Sequence, residues 1–389
     1  MRVHRLLALL LLAACALGGC KDVDYRPDAV GREAEIVVVM DDERWQGSLG
    51  DTVRAHLSDY METLPAPERE FELRRTDIET RFEEIKTLKN VLFVAPYTDT
   101  TAVARFLRSR LPENIDEMQA AANGLTVHRE DLWRRNQMVI YVTAATAEAL
   151  EATIRDRAEE IRYLFNRITR ERVTREMFEK GRQRDIEEQL MRKHGFAVNV
   201  QYDFRVAIDT TNFVWLRRVL SDTWRSIFVY YIEDADPSII TPQWIYATRD
   251  SVTKQWIRGN VGGFVEIDRP PRRPLETEAI NFLGRYGFET RGLWQMMGER
   301  EDGTRFQFGS GGPFVTYTFY DEPSGRIYMI DGMVFAPGFE KREFLRHMEA
   351  IAYTFRGAEA PAQSAVNRRA APPDEASSSR KRAIPVALQ

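Results

Sequence analysis

The chain has 389 residues, 43% of them hydrophobic and 11% aromatic. That is enough apolar material for a real core, and it excludes a disordered polar polymer. Lys and Arg number 55 against 59 Asp and Glu, with the signs interspersed, so the chain is a poor phosphate-tracking nucleic-acid binder. Its only two cysteines are Cys15 and Cys20, so the rest of the chain has no disulfide framework and no thiolate metal site.

In chain order, the first element is the apolar run over residues 6–20, behind Arg2 and Arg5. A basic start, an apolar core shorter than the roughly twenty residues a spanning helix needs, and small residues before a cysteine describe an export signal. The ending Leu17-Gly18-Gly19-Cys20 resembles the lipobox of bacterial lipoproteins. In that family the cysteine thiol is lipidated and the signal is cut just before it. Leu12-Ala13-Ala14-Cys15 fits by residue type as well. Cys20 is preferred because Lys21 and Asp22 follow it at once, whereas more apolar residues follow Cys15. The competing reading is an ordinary secretory signal with incidental cysteines. The resemblance implies a signal peptide over residues 1–19 and a membrane anchor through the lipid at Cys20. The place is then the cell envelope, as an outer-membrane lipoprotein, periplasmic or surface-exposed. Residues 20–33 read as a polar tether. Lys21, Asp22 and Asp24 also resemble the lysine-plus-acid export tags of Bacteroidota surface lipoproteins.

Residues 34–169 form the first of two expected α+β halves. Ile36-Val37-Val38-Val39, Val91-Leu92-Phe93-Val94 and Met138-Val139-Ile140-Tyr141-Val142 are buried-strand patterns. Phe71 and Leu73 add a short strand. Helical spacing marks residues 51–64, 100–111 and 146–168, the last capped by Thr146. The order of these elements predicts a ferredoxin-like βαββαβ sandwich with one added helix. Residues 170–195 are charge-dense and predict a bridging helix stopped by Gly195.

Residues 196–356 form the second half. Alternation from Val198 to Ile208 predicts a strand with one wet face, hence an antiparallel sheet. Residues 213–219 and 226–232 continue it as strands, residues 241–258 and 275–286 predict helices, and 288–297, 313–320 and 326–335 predict strands. Residues 339–355 close the half as a helix. Both halves end on a strand followed by a helix, which predicts two related halves, each a mostly antiparallel sheet with helices on one face. Residues 357–389 are rich in Ala, Pro, Ser and Arg and read as a disordered tail.

Four segments of the second half carry a resemblance: 212–217 (Asn-Phe-Val-Trp-Leu-Arg), 290–294 (Thr-Arg-Gly-Leu-Trp), 311–315 (Gly-Gly-Pro-Phe-Val) and 330–338 (Ile-Asp-Gly-Met-Val-Phe-Ala-Pro-Gly). With the lipobox, they resemble an uncharacterised family of lipoproteins from Bacteroidota, catalogued as a domain of unknown function. The resemblance covers roughly residues 34–356. It implies an envelope lipoprotein built as one long unit, and it brings no activity, ligand or catalytic residue.

No catalytic signature follows from the residues themselves. His56, His128, His194 and His347 are far apart in sequence, and no metal or cofactor is expected. Phe308-Gly309-Ser310-Gly311-Gly312 is neither a nucleophile elbow nor a phosphate loop, and reads as a turn that could line a ligand mouth. Asp331 is the acid to watch. On a continuous strand it shares a face with apolar residues and needs a partner, for which Arg291 and Arg217 are candidates. If Asp331-Gly332 is instead a hairpin turn, it is exposed. Trp215, Arg217, Arg291 and Trp294, with Asp331, make a candidate face for a glycan or protein partner if they share an exposed surface. The first functional expectation is therefore a non-enzymatic envelope lipoprotein that binds or assembles with an envelope partner. The alternative is a hydrolase of an envelope polymer with Asp331 as one of two carboxylates.

Overall fold

The continuous apolar runs of the first half do become strands, and their neighbours decide their direction. The computed structural model describes residues 24–110, 124–259, 262–271 and 273–358. Cys15, Cys20, the whole expected signal peptide and nearly all of the expected tail lie outside the described residues. The first half runs β1 (Glu35–Val39), α1 (Asp42–Gln46), α2 (Ser48–Leu57), β2 (Glu72–Thr76), α3 (Ile78–Ile85), β3 (Asn90–Val94), α4 (Ala102–Arg110), β4 (Leu125–Glu130), β5 (Met138–Thr143) and α5 (Ala147–Glu179). Its sheet has the order β2-β1-β3-β5-β4. Strands β2, β1, β3 and β5 are parallel and only β4 is antiparallel, against β5.

This corrects the ferredoxin-like expectation for the first half, which needed an antiparallel sheet with helices on one face. Every residue of β3 and β5 is buried. A strand buried on both sides belongs in a sheet with helices on both faces. Ile36, Val38, Leu92 and Ile140 pack under α2 and α5, and Val37, Val39, Phe93 and Tyr141 pack against α3 and α4.

Helix α5 begins at Thr146, whose hydroxyl accepts from the Ala149 N–H. It has 33 residues, so it is about 50 Å long. Leu150 to Ile168 face the first core, while Val173 and Met177 reach the second. The bridge between halves is thus this single helix, not a separate one over residues 170–195. A break follows, then α6 (Arg184–His194), which ends as predicted on Gly195 in the left-handed region at φ 70°.

The second half continues with β6 (Phe196–Ala197), β7 (Arg205–Asp209), β8 (Phe213–Val219), β9 (Trp224–Ile232), α7 (Pro242–Trp256), β10 (Phe264–Asp268), β11 (Leu275–Phe282), β12 (Arg285–Glu299), β13 (Arg305–Asp321), β14 (Arg326–Phe335), α8 (Arg342–Ala352) and β15 (Arg356–Gly357). Its main sheet is antiparallel, in the order β10-β12-β13-β14-β9-β8-β7, with β11 also paired to β12. One face, carrying Phe213, Phe228, Trp294 and Met329, packs under α7. The other, carrying Val214, Ile227, Tyr317 and Ile330, packs under α8. The molecule is therefore mixed α+β, but its halves are not copies, since one sheet is mainly parallel and the other antiparallel.

Two expected elements changed. The predicted helix over 275–286 is strand β11 and its turn, because β12 offers eight consecutive pairing partners. The alternating run from Val198 gives a strand only from Arg205. Val198, Val200 and Phe204 are buried as expected, but Tyr202 and Val206 face solvent.

The halves are joined by more than α5. The buried Glu68 carboxylate accepts the backbone N–H groups of Lys341 and Arg342, at 2.8 to 3.0 Å. An acid of the first half thereby caps the last helix of the second, as the positive end of a helix favours. Arg342 and Arg346 return donors to the carbonyls of Arg69 and Glu70 at 2.6 and 2.9 Å. No described helix is long and apolar enough to cross a membrane.

Candidate functional site

A cleft lies where two hairpin turns of the second sheet meet the chain leading into α7. The β11–β12 turn is only Leu283 and Gly284, with φ of 52° and 84°. Such a tight turn needs positive φ at both central residues, and the Asn281 side chain accepting from the Gly284 N–H at 2.8 Å supports it. Arg285 then reaches across to Asp321 on β13, with Nε 2.6 Å from Oδ1, and ties the two hairpins side by side. Asp321 is buried and also accepts the Ser324 hydroxyl at 2.6 Å.

This arrangement pushes Tyr286 outward, 71% exposed, with its ring edge-on to Phe288 at 5.6 Å. Tyr320, Ile240, Pro237 and Pro323 complete a cleft of about 620 Å³. Its one guanidinium is already paired with a buried carboxylate and Glu322 is exposed at the rim, so the lining offers rings, apolar surface and a single acid rather than a converging acid and base. Such a surface gains by burial and stacking. Tyr286, Phe288 and Arg285 were not singled out in the sequence. The available signal was the aromatic alternation of Tyr286 and Phe288, which the helical reading of 275–286 hid.

A smaller cleft of about 260 Å³ is lined by Gly309 to Gly312 with Asp268, Gln295, Gln307 and Trp294. Here the glycine-rich stretch is a bulge within β13. Pairing jumps from Gln295–Gly311 to Met297–Gln307, so residues 308–310 loop out.

The five residues of the expected partner face do not share a surface. Asp331 lies on the continuous strand β14 and is completely buried. Its partner is Arg249 of α7, not Arg291 or Arg217. Nε stands 2.7 Å from Oδ2 and Nη2 3.3 Å from Oδ1, and Thr316 donates its hydroxyl as well. The exposed-hairpin reading of Asp331 is thereby excluded, and the hydrolase alternative loses its named acid, because this carboxylate has no path to a substrate. Gly332 pairs within the strand, and its lack of a side chain lets α8 approach, since a Cβ there would meet the Cβ of Met348 at 2.4 Å.

Trp215 is buried in the core under α7, with the exposed Arg217 over its ring at 5.3 Å. Trp294 is buried in that same core and donates its indole N–H to the Val334 carbonyl at 3.1 Å. Arg291 is on the opposite face. It donates to Glu289 and stands 2.8 Å from Glu349 of α8. Burial pushes the Glu289 carboxyl up, but the charge and hydrogen bond of Arg291 outweigh it and hold the group below its usual range. Burial, then Glu289 and Glu349, push the neighbouring Tyr317 hydroxyl well up. The cluster pins α8 to the sheet. Among the described residues no three His, Cys, Asp or Glu side chains are grouped to hold a metal ion.

Fold and cleft define a mixed α+β protein of two welded halves with an aromatic recess in the second. Residues 183–354 match the family model of a domain of unknown function (DUF4837), and residues 29–178 match that of another (DUF8532). Each model covers one half of the chain, and the two together take in both halves. No curated protein matches it. Among solved structures, the Saccharomyces cerevisiae Ran-binding protein Mog1p is similar at 10% identity and a TM-score of 0.30, over 42% of this chain and 91% of that one. A mutant of protein Mog1 is similar at 11% identity and a TM-score of 0.27, over 42% and 92%.

Proposed function

We propose that this protein is an envelope-anchored lipoprotein whose body is a non-enzymatic binding module. An extended segment of a partner protein lies in the cleft between the two hairpin turns. The observation that carries this is the exposed Tyr286 ring beside Phe288 and Tyr320, with the only cation of the recess neutralised by Asp321. Proline and aromatic walls, with the Glu322 carboxylate as the one charge left unpaired among the described residues, suit a mainly apolar, extended peptide better than a sugar, which needs more hydrogen-bonding groups. The anchor is the expected lipid at Cys20.

Crosslinking and pull-down of the lipidated protein from its own envelope tests the cleft. The wild type is expected to recover a defined partner that Tyr286→Ala loses, with thermal stability unchanged because the ring is exposed. Equal recovery by both proteins, or no partner alongside cleavage of an envelope polymer, would overturn the reading. Cys20→Ala is expected to release the protein from membranes, and full retention would remove Cys20 as the sole anchor.

A further inference from the structure

We infer that Arg225, Arg218 and Asp203 form a binding site for a phosphate monoester, at the α8 side of the second sheet and apart from the aromatic cleft. Arg225 on β9 and Arg218 on β8 are direct cross-strand neighbours, so both side chains lie on the face that α8 covers. Arg225 is 4% exposed. The four other arginines buried to this degree each hold a carboxylate: Arg172 has Glu33, Arg249 has Asp331, and Arg342 and Arg346 share Glu343. Among the described residues Arg225 forms no such pair.

Its Nη1 donates to Nδ1 of His347 on α8, its face rests 5.4 Å from the centre of the Phe344 ring, and its Nε has no hydrogen-bond partner. A guanidinium withdrawn from water needs an anion, and a neutral imidazole does not supply one.

The surroundings define the missing group. Arg218, one-fifth exposed, donates Nε to Asp203, whose other oxygen, Oδ1, is buried with no partner. Tyr202 is the other titratable neighbour of Arg225. Two guanidiniums thus stand near one carboxylate, which pairs with Arg218 alone, leaving one positive charge, one unused donor and one unused acceptor. A carboxylate ligand could answer the donor but not the acceptor. A singly protonated phosphate monoester answers both, with an oxygen for Arg225 Nε and a P–OH for Asp203 Oδ1. Paired arginines suit phosphate because each fork offers parallel N–H donors.

The rim beside this end of the sheet is apolar. Val219 and Leu220 at the β8–β9 turn are 59% and 49% exposed, and Phe339, 6.3 Å from Phe344, is 49% exposed. The phosphate is therefore carried on an apolar body, either a lipid headgroup or a soluble phosphate ester.

Calorimetric titration of the full chain with inorganic phosphate and with a short alkyl phosphate tests the site, with acetate as the carboxylate control. The wild type is expected to bind phosphate saturably, the alkyl phosphate more tightly, and acetate not at all. Arg218→Gln, at the more exposed of the two arginines, is expected to weaken phosphate about tenfold, the share of one charge-assisted hydrogen bond. Arg225→Gln is expected to abolish binding. Sedimentation with phosphatidylcholine vesicles containing phosphatidic acid separates the sources: co-sedimentation assigns a lipid headgroup, and its absence beside alkyl phosphate binding assigns a soluble ester. No saturable phosphate binding by the wild type, or equal binding by a folded Arg218→Gln, would overturn the site.

Discussion

The buried pair of Arg249 and Asp331 offers the sharpest test of how the second half is held. Both side chains have no solvent exposure, and the ions meet at 2.7 Å. Thr316 supplies one further hydrogen bond to the carboxylate, and the Arg249 guanidinium also lies 3.6 Å from the Phe314 ring centre. Replacing Arg249 by Met leaves a carboxylate in the core with one hydroxyl as its remaining partner. Uncompensated burial of that kind costs about 3–5 kcal/mol. At about 2–4 °C per kcal/mol for a unit of this size, the melting temperature falls by about 6–20 °C. Removing both charges, as Arg249→Met with Asp331→Leu, restores most of the loss, because neither ion is then stranded. Urea unfolding followed by tryptophan fluorescence reads the transition directly, since Trp224 and Trp294 sit in the same core. A loss below about 1 kcal/mol in Arg249→Met, or a double variant no better than the single one, would refute the claim that the helix and sheet depend on this ion pair.

Three further outcomes follow from the same geometry. Glu68→Ala removes the acceptor of the Lys341 and Arg342 amides and is expected to cost about 1–2 kcal/mol, with faster hydrogen exchange at those two amides; unchanged exchange would show that the cap does not hold the halves. Burial, with Arg225 and Arg218 beside it, pushes the His347 imidazole down to about 3. Since the unfolded chain takes up that proton near pH 6.5 and the folded chain does not, stability is full above pH 6.5 and falls as pH drops toward 3, by up to about 5 kcal/mol. His347→Gln should flatten the pH profile of urea unfolding over that window. Gly332→Ala places a Cβ 2.4 Å from the Met348 Cβ, so α8 must shift, at about 1–3 kcal/mol. Met348→Gly removes that Cβ, so the two changes together should cost less than the sum of each alone, and strict additivity would locate the strain elsewhere.

The partner-face residues show where one-dimensional reading ends. Trp215, Trp294 and Asp331 share the face under α7, yet α7 covers them, and nothing in their own strands announces that cover. Arg291 points the other way because strand periodicity puts residues 291 and 294 on opposite sides. That much was legible from numbering alone, whereas the choice of Glu349 as its second partner was not. The Arg249 partner of Asp331 lies 82 residues away, on the helix predicted over residues 241–258, with nothing local to join the two.

Local pattern by itself determined the buried strands Glu35–Val39, Asn90–Val94 and Met138–Thr143, the capping of the long helix at Thr146, the stop of α6 at Gly195, and the mixed character of the chain. These depend on hydrophobic spacing and on backbone groups a few residues apart. Only the tertiary structure decided that the first sheet is parallel, that 275–282 is a strand, and that Glu68 caps a helix 273 residues downstream. Each of those choices belongs to a pairing partner distant in sequence, and a hydrogen bond or a covered face exists only once that partner has arrived.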